Sequence, residues 1–292
     1  MIGDQAKSLR DRNRRLGRGS SSNRQTRARK IVVTSGKGGV GKSNFSLNMA
    51  IALGRIGQRV LLIDADTNLA NIDILLGLHV RYTLADVILG SAFFSDALID
   101  GPEGIHILPG SSGVVEMVEH DEVILQRMSD AFDELEQRYD ILLIDTGAGL
   151  SEGVLQFVLG ADDVLLVTNA EPTSITDAYA MVKVATHRSP TLKIHLIVNL
   201  VPNQLAGKDT FEKLQLAVRN FLQVEIDHLG SLPLDQNVQI AVNEQKPFLV
   251  HFPRSSASSA MVLMANRLMK IVNDNKVEEG NFLNRILQHK EK

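Results

Sequence analysis

No cysteine occurs anywhere in the 292 residues. That removes a disulfide framework, thiolate metal sites, iron–sulfur ligation by cysteine and a cysteine nucleophile. Nor does any stretch approach the roughly 18 consecutive apolar residues that crossing a bilayer requires. The N-terminus lacks an apolar secretory core, so export is not expected. A strong overall charge is missing too, the formal net value being −3, but its distribution is uneven. Residues 1–30 hold ten Lys/Arg and two Asp/Glu, giving +8, and the remaining residues sum to −11. A basic arm precedes a mildly acidic body.

What is present describes a globular protein, 44% hydrophobic and 22% charged. The length suits one large α/β domain or two ordinary ones. "DRNRRLGRGSSSNRQTRARK" (11–30) is polar, basic and rich in Gly and Ser, the composition of a tether that cannot offset its ordering entropy. From Lys30 onward, apolar runs alternate with helical patterns. The predicted strands are 30–35, 59–64, 105–110, 139–145, 163–170, 193–199 and 226–233, near-continuously apolar as strands covered on both faces should be. Amphipathic stretches at 43–56, 121–137, 174–187 and 210–222 lie between them. That alternation predicts a mostly parallel sheet with helices on both faces, one domain over residues 30–272. Residues 1–29 would be an arm, and 273–292 a polar break followed by "NFLNRILQHKEK". In that last stretch Phe282, Leu283, Ile286 and Leu287 share one helical face.

The most informative stretch is "GKGGVGKS", residues 36–43, between a predicted strand and a predicted helix. It fits the glycine-rich phosphate loop in the setting that motif requires. Its glycines, Gly36, Gly38, Gly39 and Gly41, let backbone N–H groups wrap around phosphates, with Val40 and Asn44 as loop and helix neighbours. Lys42 would bridge the β- and γ-phosphates, and the Ser43 hydroxyl would bind Mg²⁺. Asp145 ends a buried strand in "IDTGAG", placed to hold the same ion. Asp64 and Asp66 sit at the carboxyl end of another strand, where parallel sheets collect ligands. Metal coordination and water positioning suit them; capping the next helix is the alternative for either. Lys37 is an additional lysine at the outer lip of the loop. It would repel Lys42 if both packed inside, so it is placed to meet phosphate charge across an interface, as an arginine finger does.

The loop with this early lysine resembles the deviant phosphate-loop signature of the MinD/ParA family of dimerising P-loop ATPases, over about residues 30–272. The resemblance implies that Lys37 reaches the partner subunit's ATP, so that nucleotide joins a homodimer and hydrolysis releases it. It implies that Asp66 orients the attacking water and that Asp64 lies near the metal. It also implies that Glu171 contributes to the nucleotide site across the dimer, and that Asn199, Pro233 and Asp235 are adenine-side positions. Where the family usually has proline in its second switch, this chain has Gly147. Within the family, "DQAKSLR" (4–10) resembles the N-terminal activator motif of the flagellar FlhG branch, regulators of flagellar number and placement. There Asp4, Gln5, Ala6, Leu9 and Arg10 would dock on the signal-recognition-type GTPase FlhF, with Gln5 helping to place that enzyme's water. The C-terminal segment resembles the family's membrane-targeting helix, with Phe282, Leu283, Ile286 and Leu287 as its lipid face; packing of that helix on its own domain is the alternative, and in the monomer the two can hold in turn. A cytoplasmic protein reversibly bound to the inner face of the cell membrane is implied, with flagellar switch proteins or a flagellar transcription regulator as further partners. No specific nucleic acid is expected.

Other readings separate on single features. An iron–sulfur carrier ATPase needs cysteines and fails here. A DNA-partitioning ATPase of the ParA type would use the basic arm against phosphates, and salt-sensitive binding to random DNA would favour it. A cell-division MinD has no need of the activator motif. A small-molecule kinase would need an acceptor pocket, for which there is no signature.

Overall fold

The computed structural model describes residues 27–66, 72–110 and 122–274, together with Phe282 and Arg285. In chain order the elements are β1 (Arg29–Ser35), α1 (Lys42–Arg55) and β2 (Val60–Ala65), then the short helices α2 (Ile72–Leu76), α3 (Leu84–Leu89) and α4 (Phe94–Ala97). β3 (Ile99–Asp100), β4 (His106–Leu108), α5 (Glu122–Arg138), β5 (Ile141–Ala148) and α6 (Glu152–Gly160) follow. The chain continues through β6 (Asp163–Asn169), α7 (Pro172–Arg188), β7 (Ile194–Val201) and α8 (Gln204–Leu222). It then forms β8 (Asp227–Pro233), α9 (Gln236–Asn243), α10 (Phe248–His251) and α11 (Ser256–Asp274).

The eight strands make one sheet in the order β3-β4-β2-β5-β1-β6-β7-β8. Every pairing is parallel except the short edge pair β3–β4. The strands divide their side chains by the two-residue period of extended backbone. Val32, Leu142 and Ile144 enter one core with Phe132, Val158, Met181 and Leu214 from α5 to α8. Ile31, Val33 and Leu143 enter the other with Leu47, Ile51, Met261 and Leu268 from α1 and α11. A sheet buried on both faces explains why its strands carry unbroken apolar runs.

Helix α6 has no polar stripe: residues 154–160 are all buried, so the amphipathic pattern that marks a surface helix is missing. α9, α11 and the two-residue β3 also lie outside the predicted elements. No described helix is long and apolar enough to cross a membrane.

At the C-terminal end the structure shows the domain-packed alternative for Phe282: it is 0% exposed, its ring centroid 5.6 Å from that of Phe132 and 6.2 Å from that of Phe157. Burial of a side chain this size is worth about 1.5–3 kcal/mol, and two core aromatics supply it here without lipid. Leu283, Ile286 and Leu287 lie outside the described residues, as do Asp4, Gln5, Ala6, Leu9 and Arg10 of the arm.

Candidate functional site

The parallel sheet brings the carboxyl ends of β1, β2, β5, β7 and β8 to one side, and a cavity of about 680 Å³ opens there. Its phosphate-loop wall is Gly38, Gly39, Gly41, Lys42, Ser43 and Asn44, with Asp66 and Ala148 beside it. Its opposite wall is Asn199, Pro233 and Asp235, with an apolar lining from Leu232, Val238, Val242 and Phe248. Val238 and Val242 are one helical turn apart on α9 and were not singled out by sequence. Their i, i+4 spacing was the available signal.

Two glycines of the loop are required by geometry. Gly36 lies against the backbone of α7, where an added Cβ would collide with the Asp177 carbonyl. Gly41 has φ +85° as the N-cap of α1, and a Cβ there would meet Asn199 Nδ2 at 2.5 Å. Asn199 in turn donates from Nδ2 to the Val40 carbonyl at 2.7 Å and accepts at Oδ1 from the Leu200 N–H at 2.8 Å. Asn199 is thus a strut that holds the phosphate loop to the end of β7.

Lys42, 7% exposed, donates to Asp145 Oδ1 at 2.9 Å and approaches Ser43 Oγ at 3.4 Å. Ser46 donates to the same Asp145 oxygen at 2.6 Å. Asp145 Oδ2 is buried and has no hydrogen-bond partner. An orphaned carboxylate oxygen costs free energy unless something pairs it. With the Ser43 hydroxyl it forms a hard-oxygen donor set, the chemistry that fits Mg²⁺. Asp64 pairs in register with Asp145 on the neighbouring strand and is 2% exposed. Its Oδ1 accepts from the Asp66 N–H at 3.1 Å and its Oδ2 from the Ile72 N–H at 3.2 Å. The second of these bonds receives the first N–H of α2, the capping alternative left open for Asp64. Asp66 lines the cavity, and a Cβ on Gly147 would come within 3.4 Å of its Oδ1.

Lys37 does not join the cavity wall. Its Nζ donates to Glu171 Oε2 at 2.9 Å and to Thr173 Oγ1 at 3.1 Å, at the N-terminus of α7. The hydrogen bond from Lys37 holds the exposed Glu171 carboxyl below the usual range, its positive charge acting the same way. Both residues are substantially exposed, at the lip where sequence placed Lys37.

Asp235 has a further task. Its Oδ1 accepts from the Asn237 N–H that opens α9, and its Oδ2 from Ser256 Oγ and the Ala257 N–H that open α11. Burial acts to raise its pKa, but the bonds from Ser256, Ala257 and Asn237 outweigh it and hold the carboxyl low. The stabilisation is therefore present near neutral pH and lost as pH falls through that depressed value. Asp235→Ala is expected to cost about 1–3 kcal/mol, the loss of two helix caps, and to remove that acid dependence. Urea unfolding at pH 7 and at acidic pH checks both.

Residues 28–197 match the family model described as an AAA domain. The antiactivator FleN of Pseudomonas aeruginosa is 42% identical over 238 residues, covering 82% of this chain and 85% of that protein. The flagellum site-determining protein YlxH of Helicobacter pylori is 30% identical over 267 residues, 89% of this chain and 90% of that one. Among solved structures, the septum site-determining protein MinD of Pyrococcus horikoshii, complexed with Mg-ADP, superposes with a TM-score of 0.67. It is 28% identical, with 85% of this chain and 98% of that chain covered.

Proposed function

Since the chain belongs to the MinD/ParA family of P-loop ATPases, close to its FleN and YlxH members, we propose that it dimerises on ATP and regulates flagellar number and placement. The observation that carries this reading is Lys37, held outside the cavity by Glu171 and Thr173 while Lys42 occupies the inner position. In this reading, two lysines serve two nucleotides.

ATP enters with its base against the apolar wall around Val238 and Val242 and its phosphates on the loop N–H groups and the N-terminus of α1. Lys42 leaves Asp145 for the β- and γ-phosphates. Ser43 and Asp145, beside Asp64, would hold Mg²⁺, which would supply positive charge against the negative charge developing on the phosphates. Lys37 exchanges Glu171 for the γ-phosphate of the partner's nucleotide, and Asp66 orients the water. Glu171, released from Lys37, is then available to the nucleotide across the dimer. The exposed ion pair it gives up is worth little, so the exchange costs little.

The direct test is size-exclusion chromatography with light scattering in ATP and in ADP. A dimer in ATP and a monomer in ADP are expected; a monomer in both would end the proposal. Lys37→Ala should stay monomeric in ATP and lose about 10³-fold in turnover, as removal of an arginine finger does.

The arm at 1–29 would carry the FlhF-stimulating motif. Deleting residues 1–20 should spare ATPase activity and abolish stimulation of that GTPase. The C-terminal segment would bind the membrane weakly as one copy and better as two in the dimer. Because Phe282 is a core residue, deletion of 281–292 would unpack the domain as well. Ile286→Glu, which leaves Phe282 in place, is the cleaner test of liposome binding.

A further inference from the structure

Midway along α1, beyond the phosphate-loop motif, stands a buried asparagine. Asn48 is 0% exposed, and the residues on either side of it in the chain, Leu47 and Met49, belong to the apolar core. A carboxamide buried so fully costs free energy unless its polar atoms are paired, and asparagine is a weak helix former besides. Its bonds run in two directions. Asn48 Oδ1 accepts from the Leu249 N–H of α10 at 2.9 Å. Its Nδ2 donates to the main-chain carbonyl of Asn44 at 2.8 Å and to Asn44 Oδ1 at 3.0 Å.

The bond to Leu249 answers a need of α10. N–H groups in the first turn of a helix have no acceptor within it, and Pro247, the N-cap, provides no side-chain cap. Asn48 supplies an acceptor from another helix.

Two main-chain groups then determine how both carboxamides are turned. The Leu249 N–H can only donate, and the Asn44 carbonyl can only accept. Together they leave Asn48 one orientation, oxygen toward α10 and nitrogen toward Asn44. That nitrogen also takes Asn44 Oδ1, so the second carboxamide is oriented by the first. Asn44 lines the cavity beside Lys42 and Ser43. With its oxygen held by Asn48, its amide nitrogen is the end available to what enters. Turned over, the same side chain would set an oxygen against phosphate oxygens, which repel it.

We propose that Asn48 is a positioning residue for phosphate: anchored on α10, it holds the Asn44 carboxamide with Nδ2 toward the nucleotide's phosphates. The inference rests on the proposed function, in which this cavity takes an adenine nucleotide. Since α10 also carries Phe248 of the apolar lining, the donor on the phosphate side is braced by an element of the base side.

Calorimetric titration with ADP and with inorganic tripolyphosphate, which has no base, tests this in the full chain. Asn44→Ala is expected to weaken both ligands about tenfold, the loss of a hydrogen bond to a charged acceptor. Asn48→Leu should weaken both by roughly three- to tenfold, because Asn44 must then be ordered on binding. The double variant should bind as Asn44→Ala does, since Asn48 acts through that side chain. Additive losses would assign Asn48 a general structural role and overturn the proposal. A loss for ADP with none for tripolyphosphate would place the damage at the base wall and overturn it equally. Side-chain amide NMR of the unaltered protein needs no Asn48 variant to fold. The Asn44 amide signals, identified by their loss in Asn44→Ala, should shift on saturation with ADP, and signals that stay in place overturn the proposal. Unaltered protein that binds neither ligand refutes the nucleotide reading and this inference with it. Normal binding and ATP-dependent dimerisation with no effect of Asn48→Leu refute this inference alone.

Discussion

Asp66→Ala is expected to lower ATP turnover by about 10²–10⁴-fold while the ATP-bound dimer persists. Asp66 stands in the cavity just past the end of β2, its N–H fixed by the Asp64 carboxylate and its side chain beside Gly147 of β5. In the proposed function phosphate is held by a different set of groups, Lys42 and the N–H groups of the loop. Removing Asp66 should take away water positioning without touching nucleotide affinity, so dimers accumulate instead of cycling. Phosphate-release kinetics give the first half of the result, and light scattering after prolonged incubation with ATP gives the second. Turnover near that of the unaltered protein would remove Asp66 from the mechanism. A variant that is monomeric in ATP would instead make it part of the dimer interface.

Lys42→Ala is expected to act on folding and binding at once. The ammonium is the buried partner of Asp145, and its loss leaves a fully buried carboxylate with Ser46 on one oxygen and no partner on the other. Breaking one side of a buried pair costs about 3–5 kcal/mol. The loss of a charge-assisted bond to phosphate weakens nucleotide binding by roughly one to two orders of magnitude. Urea denaturation and titration with a fluorescent ATP analogue measure the two separately. In Lys42→Ala with Asp145→Asn the stability loss should be smaller than the sum of the single losses, because the two residues are in contact. Additive losses would mean that the ion pair contributes no stability.

Much of the site was legible because its parts are local. Residues 36–43 are contiguous, and their glycine spacing follows from the backbone conformations a phosphate needs. Asp64, Asp66 and Asp145 were found by their place at the ends of apolar runs. Less legible was how each of them is engaged. Asp64 bonds two backbone N–H groups, Asn199 braces Val40, and Asp235 caps two helices, one of them starting 21 residues away at Ser256. Nothing in a strand pattern or a motif encodes such cross-chain bonds. Helix α6 was missed for a related reason. Periodicity records the contrast between a wet and a dry face, and a helix surrounded by protein has none.

Phe282 shows the same limit from the other side. "NFLNRIL" has an apolar helical face, and sequence could only say that the face seeks an apolar surface, protein or lipid. The side chains that meet Phe282 come from residues 132 and 157, brought there by the sheet's strand order.

By itself the chain's chemistry determined a parallel α/β architecture, a phosphate loop with its additional lysine, and acids at strand ends, all properties of short segments or of a repeating period. Only the tertiary structure decided that Lys37 rests on Glu171, that Lys42 rests on Asp145, and that Lys30 lies buried between Glu136 and Asp162. Those pairings join residues more than a hundred positions apart, and electrostatic energy depends on separation in space, which a linear order does not contain.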